Sequence, residues 1–276
     1  FWQQWRANYI TEADIDRIHA MGFNSVRVPL HWKFFTSDDS EGFRLLDQLV
    51  GWAKKDGIYV ILDMHCAPGG QTGANIDDSY GYPWLFVSPE AQQATANEWR
   101  RIAQHYAKNP TVLGYDLLNE PIPQFPALAP LRRELEPVYR RIAGAIRAVD
   151  KNHVLILGGA TWDTNFKVFG PPFDPNVMYT FHKYWTKQTD ASVIQEYLDF
   201  RKQNKVPIWA GETGENTDAW VQAFRETLEA NEVGWAFWTY KRMDAKPCVV
   251  TFDPPEHWDE IVAFAKLPRD MGDAEK

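Results

Sequence analysis

Short apolar runs rich in Val, Ile, Leu and aromatic residues alternate along the chain with longer stretches whose apolar positions recur every three to four residues. The runs read as strands buried on both faces, the longer stretches as amphipathic helices. Strands are expected over 24–30, 58–65, 112–118, 153–159, 177–184, 206–214 and 234–241. Helices are expected over 11–21, 43–56, 88–108, 131–149, 192–204, 218–230 and 256–265. Thr11-Glu12-Ala13-Asp14 and Ser88-Pro89-Glu90 carry helix-start chemistry, and Gly22 and Gly57 supply stops. Residues 1–9 read as aromatic and irregular, and the Pro-rich stretch up to Pro175 shows no helical pattern.

Regular alternation of strand and helix favours a parallel sheet with right-handed crossovers. No Gly-x-Gly-x-x-Gly turn follows an early strand and no P-loop is present, which speaks against an open nucleotide-binding sheet. The fold expected is an α/β (β/α)8 TIM barrel, and 276 residues suit one catalytic domain over 1–276. Seven strands are legible rather than eight. The first readable element is a helix, so the opening barrel strand is expected before Phe1.

Polar residues collect where the strands end. The run from Val112 stops at Leu118-Asn119-Glu120-Pro121, where Pro121 removes a ladder donor. Val206 to Gly214 repeats the pattern: an apolar run, then Glu212, then a glycine turn. Carboxyl ends of barrel strands are where ligands bind, so two acids there point to chemistry. Arg27, inside the first strand, needs a carboxylate partner, because an unpaired buried cation is costly. The connection over 66–88 contains Ala67-Pro68-Gly69-Gly70-Gln71 and Tyr80-Gly81-Tyr82-Pro83-Trp84; a loop this long and this aromatic is expected to wall a cleft.

Composition narrows the partners. Lys plus Arg number 29 against 37 Asp plus Glu, a net charge of -8, which disfavours nucleic acid. The 13 Trp exceed the needs of a core and supply rings on which the CH face of a sugar packs. Cys66 and Cys248 lack metal-site spacing and leave pairing open. No apolar run reaches membrane-helix length, so no membrane partner is expected.

Two carboxylic acids facing each other among aromatics are the minimum for cleaving a glycosidic bond, one giving a proton and one attacking the anomeric carbon. The segments Asn24-Ser25-Val26-Arg27-Val28-Pro29, Asp63-Met64-His65, Leu118-Asn119-Glu120-Pro121, Phe181-His182-Lys183-Tyr184, Trp209-Ala210-Gly211-Glu212 and Phe237-Trp238 resemble, in order, the strand ends of glycoside hydrolase family 5. The resemblance covers nearly the whole chain and implies a retaining β-glycosidase of the cellulase superfamily. It implies Glu120 as general acid/base and Glu212 as nucleophile. By the same carry-over Asn119 holds the sugar 2-hydroxyl, His65 and His182 line the subsite beside the scissile bond, Tyr184 and Arg27 orient Glu212, and Trp238 lies under the reacting sugar.

Glu120, beside an uncharged amide, is expected to keep a raised pKa and hold its proton. Retention requires the carboxyl groups to stand about 5 to 5.5 Å apart. Trp32, Trp84, Trp162, Trp185 and Trp258 are expected in loops beyond strand ends, the first four as outer sugar platforms. Two His and two Glu without His-x-x-x-His spacing are poor metal ligands, so neither metal nor cofactor is expected. The expected activity is an endo-β-1,4-glucanase, secreted and monomeric, acting on polysaccharide or oligosaccharide. A β-1,3-glucanase, to whose loops Ala67 to Gln71 is also similar, and a β-mannanase are the alternatives within the family. A non-catalytic carbohydrate-binding protein is an alternative of another class. A barrel aldolase would need a strand Lys, for which only Lys183 and Lys241 lie near, and a phosphate loop that is not evident.

Overall fold

A computed structural model describes residues 2–77, 79–243 and 246–266. Seven parallel strands pair strictly in sequence order: β1 (Ser25–His31), β2 (Tyr59–Cys66), β3 (Val112–Asp116), β4 (Val154–Gly158), β5 (Val177–Lys183), β6 (Ile208–Gly214) and β7 (Gly234–Trp238). Helices run between them: α1 (Trp2–Asn8) and α2 (Glu12–Ala20) before β1, then α3 (Glu41–Asp56), α4 (Pro89–Tyr106), α5 (Leu135–Arg147), a single turn α6 (Ala160–Asp163), α7 (Gln195–Asn204), α8 (Asp218–Ala230) and α9 (Trp258–Ala265). The result is the expected (β/α)8-type barrel, nearly closed.

The helices form where apolar spacing and caps agree. In α5, Leu135, Val138, Tyr139, Ile142 and Ile146 recur on one face and all are buried against the sheet. Ser88 accepts the backbone N–H of Ala91 at 3.1 Å and starts α4, with Pro89 in the first turn. At the end of α3, Gly57 takes φ +70, a conformation that suits glycine and stops the helix.

Some boundaries differ from expectation. Residues 2–8 are helical, not irregular. β3 ends at Asp116, leaving Glu120 four residues beyond the strand. The seventh strand stops at Trp238, and residues from 241 form a separate two-stranded ribbon, β8 (Lys241–Met243) with β9 (Val250–Phe252). Trp258 begins α9 rather than lying in a loop.

Among the described residues β7 and β1 are not paired. A cavity of 560 Å³ lies between them, lined by Ile15, Ile18, Val26, Val28, Trp235 and Phe237 among others. Side chains span this seam. The Phe23 and Trp235 rings meet edge to face at 5.5 Å, Lys241 Nζ reaches Asp14 Oδ2 at 3.1 Å, and the Tyr240 hydroxyl donates to Asp14 Oδ1 at 2.9 Å. The strand expected before Phe1 lies outside the described residues.

Register carries a consequence for the site. Phe181 pairs with Ala210 but His182 pairs with Glu212, so β6 holds one extra residue at Gly211. The bulge turns Glu212 toward the barrel mouth. A Cβ at Gly211 would stand 2.3 Å from Thr180 Oγ1 and 3.1 Å from His182 Nε2, so only glycine fits there.

Candidate active site

The eight strand-end residues meet at one end of the barrel. Arg27, whose side chain is 4% exposed, sits at the centre of an acidic ring. Its Nε donates to Asp116 Oδ2 at 2.8 Å, one terminal nitrogen to Glu212 Oε1 at 2.5 Å, and the other to Asn119 Oδ1 at 2.9 Å, with Asp63 Oδ1 3.1 Å away. Burial disfavours the charged form of Arg27; Asp63, Asp116 and Glu212 outweigh that and hold its pKa well above the usual value. Burial pushes Asp116 up to about 6, against the pull of Arg27.

Glu212 is held at both oxygens, Oε1 by Arg27 and Oε2 by the Tyr184 hydroxyl at 2.9 Å. That arrangement fixes a carboxylate's orientation. Glu120 is reached from the other side: His182 Nδ1 lies 3.0 Å from Glu120 Oε1 and 3.6 Å from Glu212 Oε2. One ligand-type atom from each of Glu120, His182 and Glu212 lies within 4.8 Å of the others. The same triangle has metal-site proportions, but Glu212 already accepts from Arg27 and Tyr184, so these groups serve one another. His65 completes the wall, with Nδ1 2.7 Å from Asp63 Oδ2, Nε2 3.3 Å from Asn119 Nδ2, and its ring stacked on Trp238 at 5.4 Å and 6°. Burial lowers the His65 pKa, and the charge and hydrogen bond of Asp63 reverse that and leave it raised.

The expectation of a raised pKa for Glu120 is overturned. Burial does push it up, but the hydrogen bond and charge of His182 prevail and leave it below the usual carboxylate range. Its decisive neighbour is an imidazole, not the Asn119 amide. Burial depresses His182, yet Glu212, Asp163 and Glu120 together raise it to about 9. Glu120 and His182 therefore hold one proton between them well into the alkaline range.

The folded pKa of His182, about 9, lies above the ordinary 6.5, so its contribution is full below pH 6.5 and disappears as pH rises through about 9. The melting-temperature gap between wild type and His182→Gln should shrink over that interval, as read by calorimetry from pH 6.5 to 9.5.

Three supporting residues are given no role of their own by the sequence. Asp63, within the Asp63-Met64-His65 segment, and Asp116 are fully buried. Gln71 tethers the long loop: its Nε2 donates to the His65 carbonyl at 2.7 Å and the Asn119 carbonyl at 3.0 Å. Of the aromatic residues expected farther out, Trp185 is 68% exposed with its indole N–H on the Glu215 carbonyl, and Trp84 is 48% exposed beside Tyr82. Trp162 donates to the Gln124 side chain, and Trp32 stacks on His31 while packing against the core. Cys66 and Cys248 do not bridge; their thiols approach the carbonyls of Ile76 and Val250.

The sequence model described as Cellulase (glycosyl hydrolase family 5) matches residues 1–244. The chain belongs to glycosyl hydrolase family 5. It is a glycoside hydrolase of that family, whose members act on polysaccharides. It is 24% identical over 303 residues to Endoglucanase C of Acetivibrio thermocellus, covering 86% of this chain and 85% of that protein. It is 32% identical over 193 residues to a beta-xylosidase of Phanerodontia chrysosporium, covering 67% of this chain but only 39% of that protein. Thermotoga maritima Cel5A in complex with mannotriose shares the fold, with a TM-score of 0.66 at 21% identity, covering 84% and 83% of the two chains. Among the described residues no helix is long and apolar enough to cross a membrane.

Proposed function

We propose that this family 5 hydrolase is a retaining endo-β-1,4-glucanase, with Glu212 attacking the anomeric carbon and Glu120 delivering the proton to the leaving oxygen. The carrying observation is the approach of Glu120, His182 and Glu212 to within 4.8 Å. It suits the short carboxyl separation of about 5 to 5.5 Å used in double displacement and leaves little room for the water of an inverting site. Arg27 and Tyr184, bound to its two oxygens, aim Glu212 along the attack line. The proton shared by His182 and Glu120 departs from Glu120, the member that is 17% exposed to the cleft.

Asn119, held by Arg27, presents its amide to the 2-hydroxyl of the reacting sugar, over the paired rings of Trp238 and His65. Trp84, Trp162 and Trp185 extend the apolar surface outward, which suits a chain of equatorially linked glucose rings. The similarity to Endoglucanase C over most of both proteins supports the same substrate. Such a polymer is met outside the cell, and the proposal therefore includes secretion and action as a monomer.

Reducing-end release should be measured on carboxymethylcellulose, laminarin, lichenan, mannan and xylan, with viscosity followed on the first. Rapid viscosity loss on carboxymethylcellulose is expected. No turnover of that polymer alongside activity on another would overturn the β-1,4-glucan assignment and leave the two-acid chemistry standing.

A further inference from the structure

Beneath Glu120 lies a carboxylate that the two-acid scheme does not use. Asp163 closes α6, and its side chain is wholly buried. Its Oδ2 accepts the backbone N–H of Glu120 at 3.0 Å and stands 3.4 Å from His182 Nε2. His182 Nε2 and Asp163 Oδ1 make no hydrogen bond among the described residues, so the 3.4 Å approach of Nε2 to Oδ2 is a charge contact. Through its other nitrogen the same imidazole meets Glu120 Oε1 at 3.0 Å. Asp163 thus touches Glu120 at its backbone and, through His182, at its carboxyl.

The surroundings are shaped to keep this carboxylate in place. Thr161, Trp162 and Asp163 have φ of 62°, 57° and 59°, and Glu120 and Ile122 have φ of 47° and 51°. Five non-glycine residues in the left-handed region carry a conformational cost, which persists only where neighbours over-determine the backbone. The two turns are tied together by the Thr161 N–H on the Ile122 carbonyl at 2.7 Å and by Asp163 on Glu120. β4 ends in Gly158, where a Cβ would fall 1.9 Å from Asp163 Oδ1. The last strand residue is bare because the carboxylate lies over it.

We propose that Asp163 is a positioning residue that keeps one proton of His182 on Nε2, so that the proton exchanged with Glu120 is always the one on Nδ1. In the exchange the Nδ1–H bond breaks as the Glu120 O–H bond forms, and Glu120 then passes that proton to the leaving oxygen. The second proton stays on His182 Nε2, facing Asp163, throughout. The charged and titratable groups facing this line are Glu212 from β6, Arg27 from β1, His65 from β2, Asp116 from β3, Tyr139 from α5, Tyr197 from α7 and Tyr184 beyond β5. Burial raises Asp163 as well, with the charge of His182 pulling against it. This inference rests on Glu120 being the proton donor.

Asp163→Asn keeps an oxygen for the Glu120 N–H and removes the charge facing His182. The alkaline limb of kcat/KM on an oligosaccharide should move down by roughly one to three pH units, the effect of losing an opposite charge at this distance. A 2,4-dinitrophenyl glycoside, whose leaving group needs no proton, should show no such limb in wild type or variant. An unmoved oligosaccharide limb in a folded Asp163→Asn would overturn the proposal. Nitrogen-15 histidine spectra of the wild type test it without any variant: neutral His182 should carry its proton on Nε2, and a neutral form protonated on Nδ1 would equally reject it. Glu120→Gln separates the underlying reading. It should lose oligosaccharide turnover by about 10²–10⁴-fold and spare the dinitrophenyl substrate in the glycosylation step. Equal losses on both substrates would remove Glu120 as donor, whereas a split in Glu120→Gln with an unmoved limb in Asp163→Asn would remove only the role of Asp163.

Discussion

Glu212→Gln should lose on the order of 10⁴–10⁶-fold in kcat, the scale seen when a covalent nucleophile is removed, while oligosaccharide binding by calorimetry changes little. The variant keeps an oxygen for Arg27 or Tyr184 to hold, and it is the attacking electron pair that is lost. The contacts proposed to bind sugar, at Asn119, His65 and Trp238, are left in place. Turnover within tenfold of wild type would mean that another group attacks the sugar.

Arg27→Met should be the most destabilising single change at the site. Methionine approximates the aliphatic stem but leaves Asp63, Asp116 and Glu212 facing one another without a cation. Removing one partner of a buried charge cluster costs about 3–5 kcal/mol. For a chain of this size that corresponds to a fall in melting temperature of roughly 10 °C, and part of it should be recovered at acidic pH, where Asp116, pushed up to about 6 by burial, takes up a proton. Activity should fall as well, because Glu212 loses the donor at Oε1. A melting temperature within about 2 °C of wild type would show that the acidic ring is compensated some other way.

The alternation of periodicities made the barrel legible, because a strand covered on both faces has to be continuously apolar and its helix has to show a stripe. The functional ends were legible for a related reason. An apolar run that stops in Asn119-Glu120-Pro121 or Glu212 has no core role for the acid. Edges read less well. Tyr240 and Lys241 looked like the tail of β7, yet their polar groups bind Asp14 across the seam, and tertiary contacts prevailed over local pattern. Residues 2–8 were missed because the apolar face of α1 is aromatic; Trp5 stacks on Tyr9 at 4.5 Å and meets Phe252 of β9, a partner far away in sequence.

The pKa of Glu120 is set by a neighbour that sequence proximity does not reveal. His182 comes from β5, 62 residues away, and no local pattern places its Nδ1 against Oε1. Asp163 stayed silent for the same reason. Its proposed role depends on a left-handed turn under Glu120, and Thr161-Trp162-Asp163 carries no glycine to advertise that backbone.

Reaction with a 2,4-dinitrophenyl 2-deoxy-2-fluoro-β-glycoside, using the sugar that the substrate panel identifies, should trap the enzyme as a covalent glycosyl ester. Peptide mapping by mass spectrometry is expected to find a single sugar on the peptide containing Glu212. A sugar on any other residue, or steady turnover with no protein-bound sugar, would contradict attack by Glu212 opposite a proton delivered from Glu120.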